Sequence, residues 1–222
     1  MIDKEKLKAN LKETWDTIVF VVIAVILIRF FIAELRWIPS DSMYPTLVGG
    51  QGLSGDRIVV EKISKYPNII KWHKFENYPK RGDIMIFYPP FVRLNTDPIS
   101  VFSRLTGFFC KDVAYIKRVV GLPGEKFEIK QNQKNGAYKV YINDKPLEED
   151  YILSEFDFHK CKADMHCGPL VIPENQYFMM GDNRGNSLDS RFWGTLPRER
   201  FIGRAVFVFW PLKRIKVLGS AE

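Results

Sequence analysis

Apolar positions along this chain follow two regimes. From Ile18 to Ile28 eleven successive residues are apolar, and Phe30 to Ala33 continue the run past a single Arg29. A stretch that is apolar all round has no face to offer water, so the pattern predicts a helix embedded in a bilayer rather than one lying on a soluble domain. Trp15 to Trp37 is 23 residues. As helix they would span about 34 Å, enough for a hydrocarbon core of about 30 Å. The two tryptophans fall where an interfacial aromatic belt is expected, and Arg29 is near enough to one end to snorkel. A cleavable export segment would need a small-x-small site after the run, and Ala33-Glu34-Leu35-Arg36 offers none.

After residue 50 the period changes. RIVVEKI (57–63), GDIMIFY (82–88) and VAYIKRVVG (113–121) are short, rich in β-branched and aromatic residues, and bounded by Gly or Pro. KFEIKQNQKNGAYKVYIND (126–144) reads as a hairpin around Asn135-Gly136, with a further turn starting at Asn143-Asp144. QYFMMGD (176–182) and GRAVFVFWP (203–211) are apolar strands, and the second is continuous enough to predict burial on both faces. Strands at this spacing predict a mainly β, antiparallel domain. Residues 64–80 and 89–112, with their proline pairs, read as surface excursions. The chain thus divides into an N-terminal segment (1–16), an anchor (17–36) and an outer domain (37–222) with an insertion around 145–172.

Charge sets the orientation. Lys4, Lys6, Lys8 and Lys12 precede the apolar run, whereas only Arg36 and Arg57 follow it closely. Lysine and arginine are retained on the cytoplasmic side, so residues 1–16 are expected there and residues from Trp37 onward outside. The net charge of +7, from 33 basic against 26 acidic residues, is spread along the chain. No clustered patch, zinc-finger spacing or RNA-binding signature accompanies it, so no nucleic-acid partner is expected. Attraction to anionic membrane lipids accounts for the excess. At 222 residues, 46% of them hydrophobic, the chain is long enough for one globular domain beside the anchor. Cys161 and Cys167, in CKADMHC, could close a disulfide loop in an oxidising space, or stay as thiols, and Cys110 is left over. His159 and His166 flank this stretch, but the spacing is not that of a structural zinc module. No metal and no other cofactor is expected.

Hydrolytic chemistry needs a nucleophile, a base and donors for an oxyanion. The three histidines, His73, His159 and His166, all fall in excursions rather than in strand-bounded segments, which disfavours a Ser-His-Asp arrangement. A lysine can serve as base once burial makes its ammonium easy to deprotonate. Lys117 is the candidate: it lies among Tyr115, Ile116, Val119 and Val120. Lowering its pKa from about 10.4 to about 8 takes about 3 kcal/mol of differential solvation, within reach of burial. The stretch IPSDSMYPTL (38–47) supplies two serines, Ser40 and Ser42, right after the anchor, although Ser, Asp and Pro are also ordinary turn residues.

Four segments follow in order: IPSDSMYPTL, KRGDIMIFYPP (80–90), YIKRVVGLPGE (115–125) and GDNRGNSLDSRFWG (181–194). Together with the anchor they resemble the type I signal peptidases, membrane-bound serine endopeptidases with a Ser–Lys dyad that act on the signal peptides of preproteins. The resemblance covers the chain apart from the excursions. It implies a signal-peptidase-like antiparallel β domain, Ser42 as nucleophile, Lys117 as general base, and an oxyanion hole of the Ser40 hydroxyl and the Ser42 N–H. It also implies that Ser187 orients the lysine, that Asp189 and Arg191 form a supporting ion pair, and that Ile38, Pro39, Leu47, Tyr115 and Ile116 line pockets for small residues. The enzyme would act as a monomer in a bacterial plasma membrane or a thylakoid membrane. The position between the two serines is most often glycine in that family, and here it is Asp41. If residues 40–42 are extended, alternation turns Asp41 away from the site. Asp182, Asn183 and Arg184 read as a polar loop, Gly82-Asp83 as a turn, and Met43 as packing beneath the nucleophile. A soluble repressor-type Ser–Lys protease would lack the anchor. A secretory peptidase of the eukaryotic type would carry histidine in place of Lys117, and a non-catalytic β domain would not need the whole set.

Overall fold

The structure, a computed structural model, describes residues 4–52, 54–65, 79–106, 113–131, 135–153 and 165–219. Helix α1 (Lys4–Leu27) runs into one wider turn over Ile28–Ile32, and Asn10–Ile32 is long and apolar enough to cross a membrane. None of that span is buried against the protein; Phe20, for example, is 72% exposed. The helix stops at Ile32, short of the expected residue 36. Strand β1 (Ala33–Trp37) begins there and pairs residue for residue with β2 (Arg57–Glu61), Ala33 opposite Glu61 and Trp37 opposite Arg57. The alternating polarity of AELRW suits a ladder better than a bilayer.

The remaining strands are β3 (Ile84–Phe87), β4 (Tyr115–Gly121), β5 (Lys126–Gln131), β6 (Tyr138–Ile142), β7 (Lys145–Pro146), β8 (Leu170–Val171), β9 (Gln176–Met180), β10 (Leu196–Pro197), β11 (Phe201–Trp210) and β12 (Lys216–Val217). Two sheets result. The larger has the order β1-β2-β11-β3-β4-β9-β10, with β12 also on β11, and the smaller is β7-β6-β5-β8. Every pairing among the described residues is antiparallel. The fold is therefore the mainly antiparallel β domain that the strand pattern predicts. Residues 145–172 are tied into the small sheet at both ends, through β7 and β8, rather than looping out from a finished domain. The two-residue turn Asn143-Asp144 has positive φ at both positions, which joins β6 to β7 as a tight hairpin.

Strand patterns follow from what covers each face. In β3, Ile84 and Ile86 enter one core cluster while Met85 and Phe87 enter another, so all four are buried. In β9, Tyr177 and Met179 face the second cluster, and Phe178 and Met180 a third shared with the small sheet. There the rings of Phe178 and Phe127 stack 3.8 Å apart and join the two sheets. Strand β11 departs from expectation. It is buried through Gly203, where β3 pairs with it, but Phe207, Phe209 and Trp210 beyond are only half-buried, flanked by β2 and β12.

The stretch 89–112 holds helix α2 (Pro98–Thr106), with Asp97 accepting from the Ser100 N–H at 2.9 Å and Pro98 in the first turn. Residues 66–78 of the other excursion lie outside the described residues, as do His73, His159, Cys110 and Cys161. Cys167 is disulfide-bonded, so the pairing expected with Cys161 falls outside the described residues on its other side.

Phe178→Ala should destabilise the domain by about 3–5 kcal/mol, because it removes the stack between the sheets and leaves a cavity. Urea unfolding of the purified protein in detergent checks it.

Candidate active site

Chain geometry between the anchor and β2 begins with Ser40 in extended conformation (φ −129°, ψ 153°). Asp41–Met43 then form a single 3₁₀ turn closed by the Tyr44 N–H on the Asp41 carbonyl at 3.0 Å. The segment is thus not the extended run assumed for the alternation of its side chains. Met43 and Leu47, both fully buried in the main core cluster, pin the turn from below. Asp41 is exposed, and its Oδ1 accepts the Gly49 N–H at 2.8 Å. That bond gives the acidic residue a local job: it ties the following loop to the turn that carries Ser42. Ser40 begins the turn, but its hydroxyl makes no capping bond and instead lies 3.4 Å from Ser42 Oγ. The Ser42 N–H is among the donors that so short a turn cannot satisfy itself.

Lys117 reaches this turn from the middle of β4. Its Nζ donates to Ser42 Oγ at 2.7 Å and to the Ile116 carbonyl at 2.9 Å, and the residue is only 4% exposed. Burial pushes its pKa down from 10.5 to about 8, against the pull of Asp189 and Asp182 and with some help from Arg191. A large minority of the lysine is therefore neutral slightly below pH 8, the form that can take a proton.

Behind the pair lies a set of buried charges. Arg191 binds Asp189 through two nitrogens, at 2.8 and 2.9 Å, with both side chains fully buried. Asp189 also accepts the Gly181 N–H at 3.0 Å, and these partners hold its carboxyl below the ordinary range although burial alone would raise it. Arg118, next along β4, makes a second such fork onto Asp182 at 2.8 and 2.6 Å. Arg184 pairs with Glu149 at the start of the small-sheet loop. The loop GDNRGNSLDSR, read from sequence as polar and locally structural, is in fact interior at Asp182 and Arg184, which are at most 1% exposed. Asn183 holds the turn of Ser42 directly: its N–H donates to the Ser42 carbonyl at 3.2 Å and its Nδ2 to that of Asp41 at 3.1 Å. Ser187 Oγ is buried without a well-formed hydrogen bond, and it bonds neither Lys117 nor Ser42; it does help keep Asp189 ionised.

A cleft of about 370 Å³ opens over the two serines, lined by Pro39, Ser40, Ser42, Val113 to Lys117, Asn186 and Leu188. Of the residues expected to shape pockets, Pro39, Tyr115 and Ile116 line it, whereas Ile38 and Leu47 sit in the core beneath. Val113, Ala114, Asn186 and Leu188 are additions. Gly181 is another: a Cβ there would lie 2.2 Å from Ser187 Oγ and 2.4 Å from the Ser42 carbonyl, so only glycine lets the two segments meet. Arg118 had a visible signal, a second cation in a strand otherwise apolar. Among the described residues no three His, Cys, Asp or Glu side chains are grouped to hold a metal.

Comparison with known proteins bears directly on this site. The model of the family described as "Signal peptidase, peptidase S26" matches residues 11–210, from within the anchor helix through β11. The chain belongs to the signal peptidases of family S26. It is 40% identical over 214 residues to "Signal peptidase I" of Leptolyngbya laminosa, covering 96% of this chain and 87% of that one. With "Thylakoidal processing peptidase 1, chloroplastic" of Arabidopsis thaliana it shares 35% identity over 190 residues, 86% of this chain and 46% of the relative. A solved signal peptidase I from Enterococcus faecalis is 28% identical and covers 58% of this chain and 97% of its own; at a TM-score of 0.37 the likeness adds nothing to the fold assignment. Membership makes this signal peptidase a hydrolase of the serine endopeptidase type.

Lys117→Met should leave the signal peptidase folded and more stable by about 1–3 kcal/mol at pH 7, because it removes a buried ammonium without leaving a hole. The folded pKa of about 8 lies below the unfolded 10.5, so the unfolded chain holds the extra proton between those values. Wild-type stability should rise with pH across that window, and the advantage of the methionine variant should shrink. Thermal unfolding at pH 7 and at the alkaline end checks both.

Proposed function

We propose that this chain removes N-terminal signal peptides from exported preproteins, with Ser42 as nucleophile and Lys117 as general base. The observation that carries the reading is the 2.7 Å contact between Lys117 Nζ and Ser42 Oγ in a site where burial lowers the lysine pKa to about 8. As Ser42 Oγ attacks the scissile carbonyl carbon, neutral Lys117 takes its proton. The carbonyl oxygen becomes an oxyanion, facing the Ser42 N–H and the Ser40 hydroxyl, which is not spent on capping the turn. The C–N bond then breaks, Lys117 hands the proton to the leaving amine, and an acyl ester remains on Ser42. Neutral Lys117 then deprotonates a water that attacks the ester carbon, and as the C–O bond to Ser42 breaks the lysine returns that proton to Ser42 Oγ.

Substrate would lie extended between residues 39–40 and 113–116, its main chain bonding to theirs and alternate side chains entering the cleft. Pro39, Tyr115 and Ile116, with Ile38 and Leu47 closing the floor from the core, leave shallow apolar room that suits small residues at the first and third positions before the cut. Ser187 serves as a lysine-orienting hydroxyl once substrate excludes water, since such bonds often tighten only in the complex. Asp189 and Arg191 fix the segment that carries it.

The basic N-terminal segment supports residues 1–16 lying in the cytoplasm and the catalytic domain on the outer face of a plasma or thylakoid membrane. Anionic lipids would attract the chain's excess positive charge, and the peptidase would work as a monomer.

Purified protein in detergent, given a preprotein with an Ala-x-Ala site, should cut it after the second alanine. Ser42→Ala and Lys117→Ala should each lose about 10³-fold or more, and Ser40→Ala about 10²–10³-fold. The rate constant kcat/KM should rise with pH through about 8 as Lys117 loses its proton. Undiminished cleavage by either of the first two variants would remove the dyad assignment.

A further inference from the structure

The end of the anchor helix is not a free tether. Its last turn, Ile28–Ile32, leaves carbonyls that the helix cannot pair. Two of them are met by one residue of the outer domain: the Lys62 N–H donates to the Ile32 carbonyl at 2.8 Å, and Lys62 Nζ to the Arg29 carbonyl at 3.0 Å. A cation at that end also opposes the negative pole of the helix. Lys62 is 4% exposed, so its charge needs a partner, and Glu34 supplies it at 2.6 Å. Glu34 is 2% exposed, one residue into β1, and Arg36 pairs with its other oxygen. No glycine or serine linker separates helix from sheet; the strand starts at Ala33, and Ser42 follows ten residues after Ile32.

We infer that Glu34 and Lys62 are positioning residues that lock the anchor helix to the catalytic sheet, so that Ser42 is held at a fixed height and direction relative to the membrane. Neither residue lines the cleft. Burying two ions is costly for stability, and it is better explained by a need for one geometry than by strength. A substrate carrying its own apolar segment in the same bilayer meets Ser42 only where the two heights agree. A short soluble peptide diffuses in from water and is indifferent to them. The inference rests on the proposed signal-peptide cleavage and adds a measure of substrate depth to it.

The test uses the full chain in vesicles of phosphatidylethanolamine and phosphatidylglycerol. Three substrates share one Ala-x-Ala site: a soluble peptide without an apolar segment, a preprotein, and a series whose apolar segment is shortened or lengthened by two residues at a time. The variant is the paired Glu34→Gln, Lys62→Gln, which removes both buried charges; Arg36 loses its carboxylate partner but is a quarter exposed and keeps water. It should cut the soluble peptide within about twofold of wild type and the preprotein about tenfold more slowly, as expected when reacting groups are misplaced by about an ångström. Its rate across the length series should be flat, where wild type shows a maximum at one length. An unchanged length profile in the variant, or a parallel fall on the peptide and the preprotein, overturns the inference. If wild type cuts neither the soluble peptide nor the preprotein, it is the proposed cleavage reaction that falls instead.

Discussion

A lysine amine kept out of water beside a serine hydroxyl is the constraint around which the rest of this molecule is arranged. In solvent Lys117 would remain protonated through neutral pH and could accept nothing. Strand β4 runs between β3 and β9, and the turn of Ser42 closes over it, so the amine is desolvated while Ser42 Oγ stays 2.7 Å away. Burial works against the charged form, and that same effect makes the group a base. On the proposed reading, activity is obtained at the expense of stability, at one residue whose apolar replacement should suit the fold better.

Such a site tolerates few stray charges, and the surrounding acids are each neutralised by a cation. Asp189 and Asp182 would pull the Lys117 pKa back up if left alone. Arg191 and Arg118 each grip one of them with two nitrogens, and Arg191 also works against their pull on Lys117. The Arg118 fork fastens the loop 181–191 to β4, the Arg191 fork closes the loop on itself, and Asn183 ties it to the turn that bears Ser42. Electrostatics and positioning are therefore the work of one set of contacts. At the other end of the turn, Arg214 reaches Asp56, whose carboxylate accepts the Val48 N–H, so the C-terminal segment braces the same region.

Much of this was legible in the residues and some was not. Period-two strands, the tight turn at Asn143-Asp144 and the apolar helix are local signals, and the structure follows them. The helix ends four residues early because β1 pairs with β2, a long-range contact that hydropathy alone does not report. Helix α2 lies in a stretch whose prolines read as an excursion, although Asp97 before Pro98 is also a helix start signal. At the site, Lys117 could be singled out as a cation in an otherwise apolar strand, but a loop as polar as GDNRGNSLDSR gives no hint that Asp182, Arg184, Asp189 and Arg191 are interior. Paired charges look the same in sequence whether they face water or one another. Asp41 shows the converse: expected only to point away, it bonds Gly49 because the chain coils into a turn rather than running straight.

The central claim is that Lys117 is a neutral amine within reach of physiological pH in the intact protein. Observing its Nζ by nitrogen NMR in lysine-labelled protein, assigned by comparison with Lys117→Met and followed across pH in detergent, measures this without reference to any substrate. The account predicts that Lys117 titrates at about 8, well below the ordinary lysine value of about 10.4. A Lys117 that titrates with the exposed lysines would contradict it.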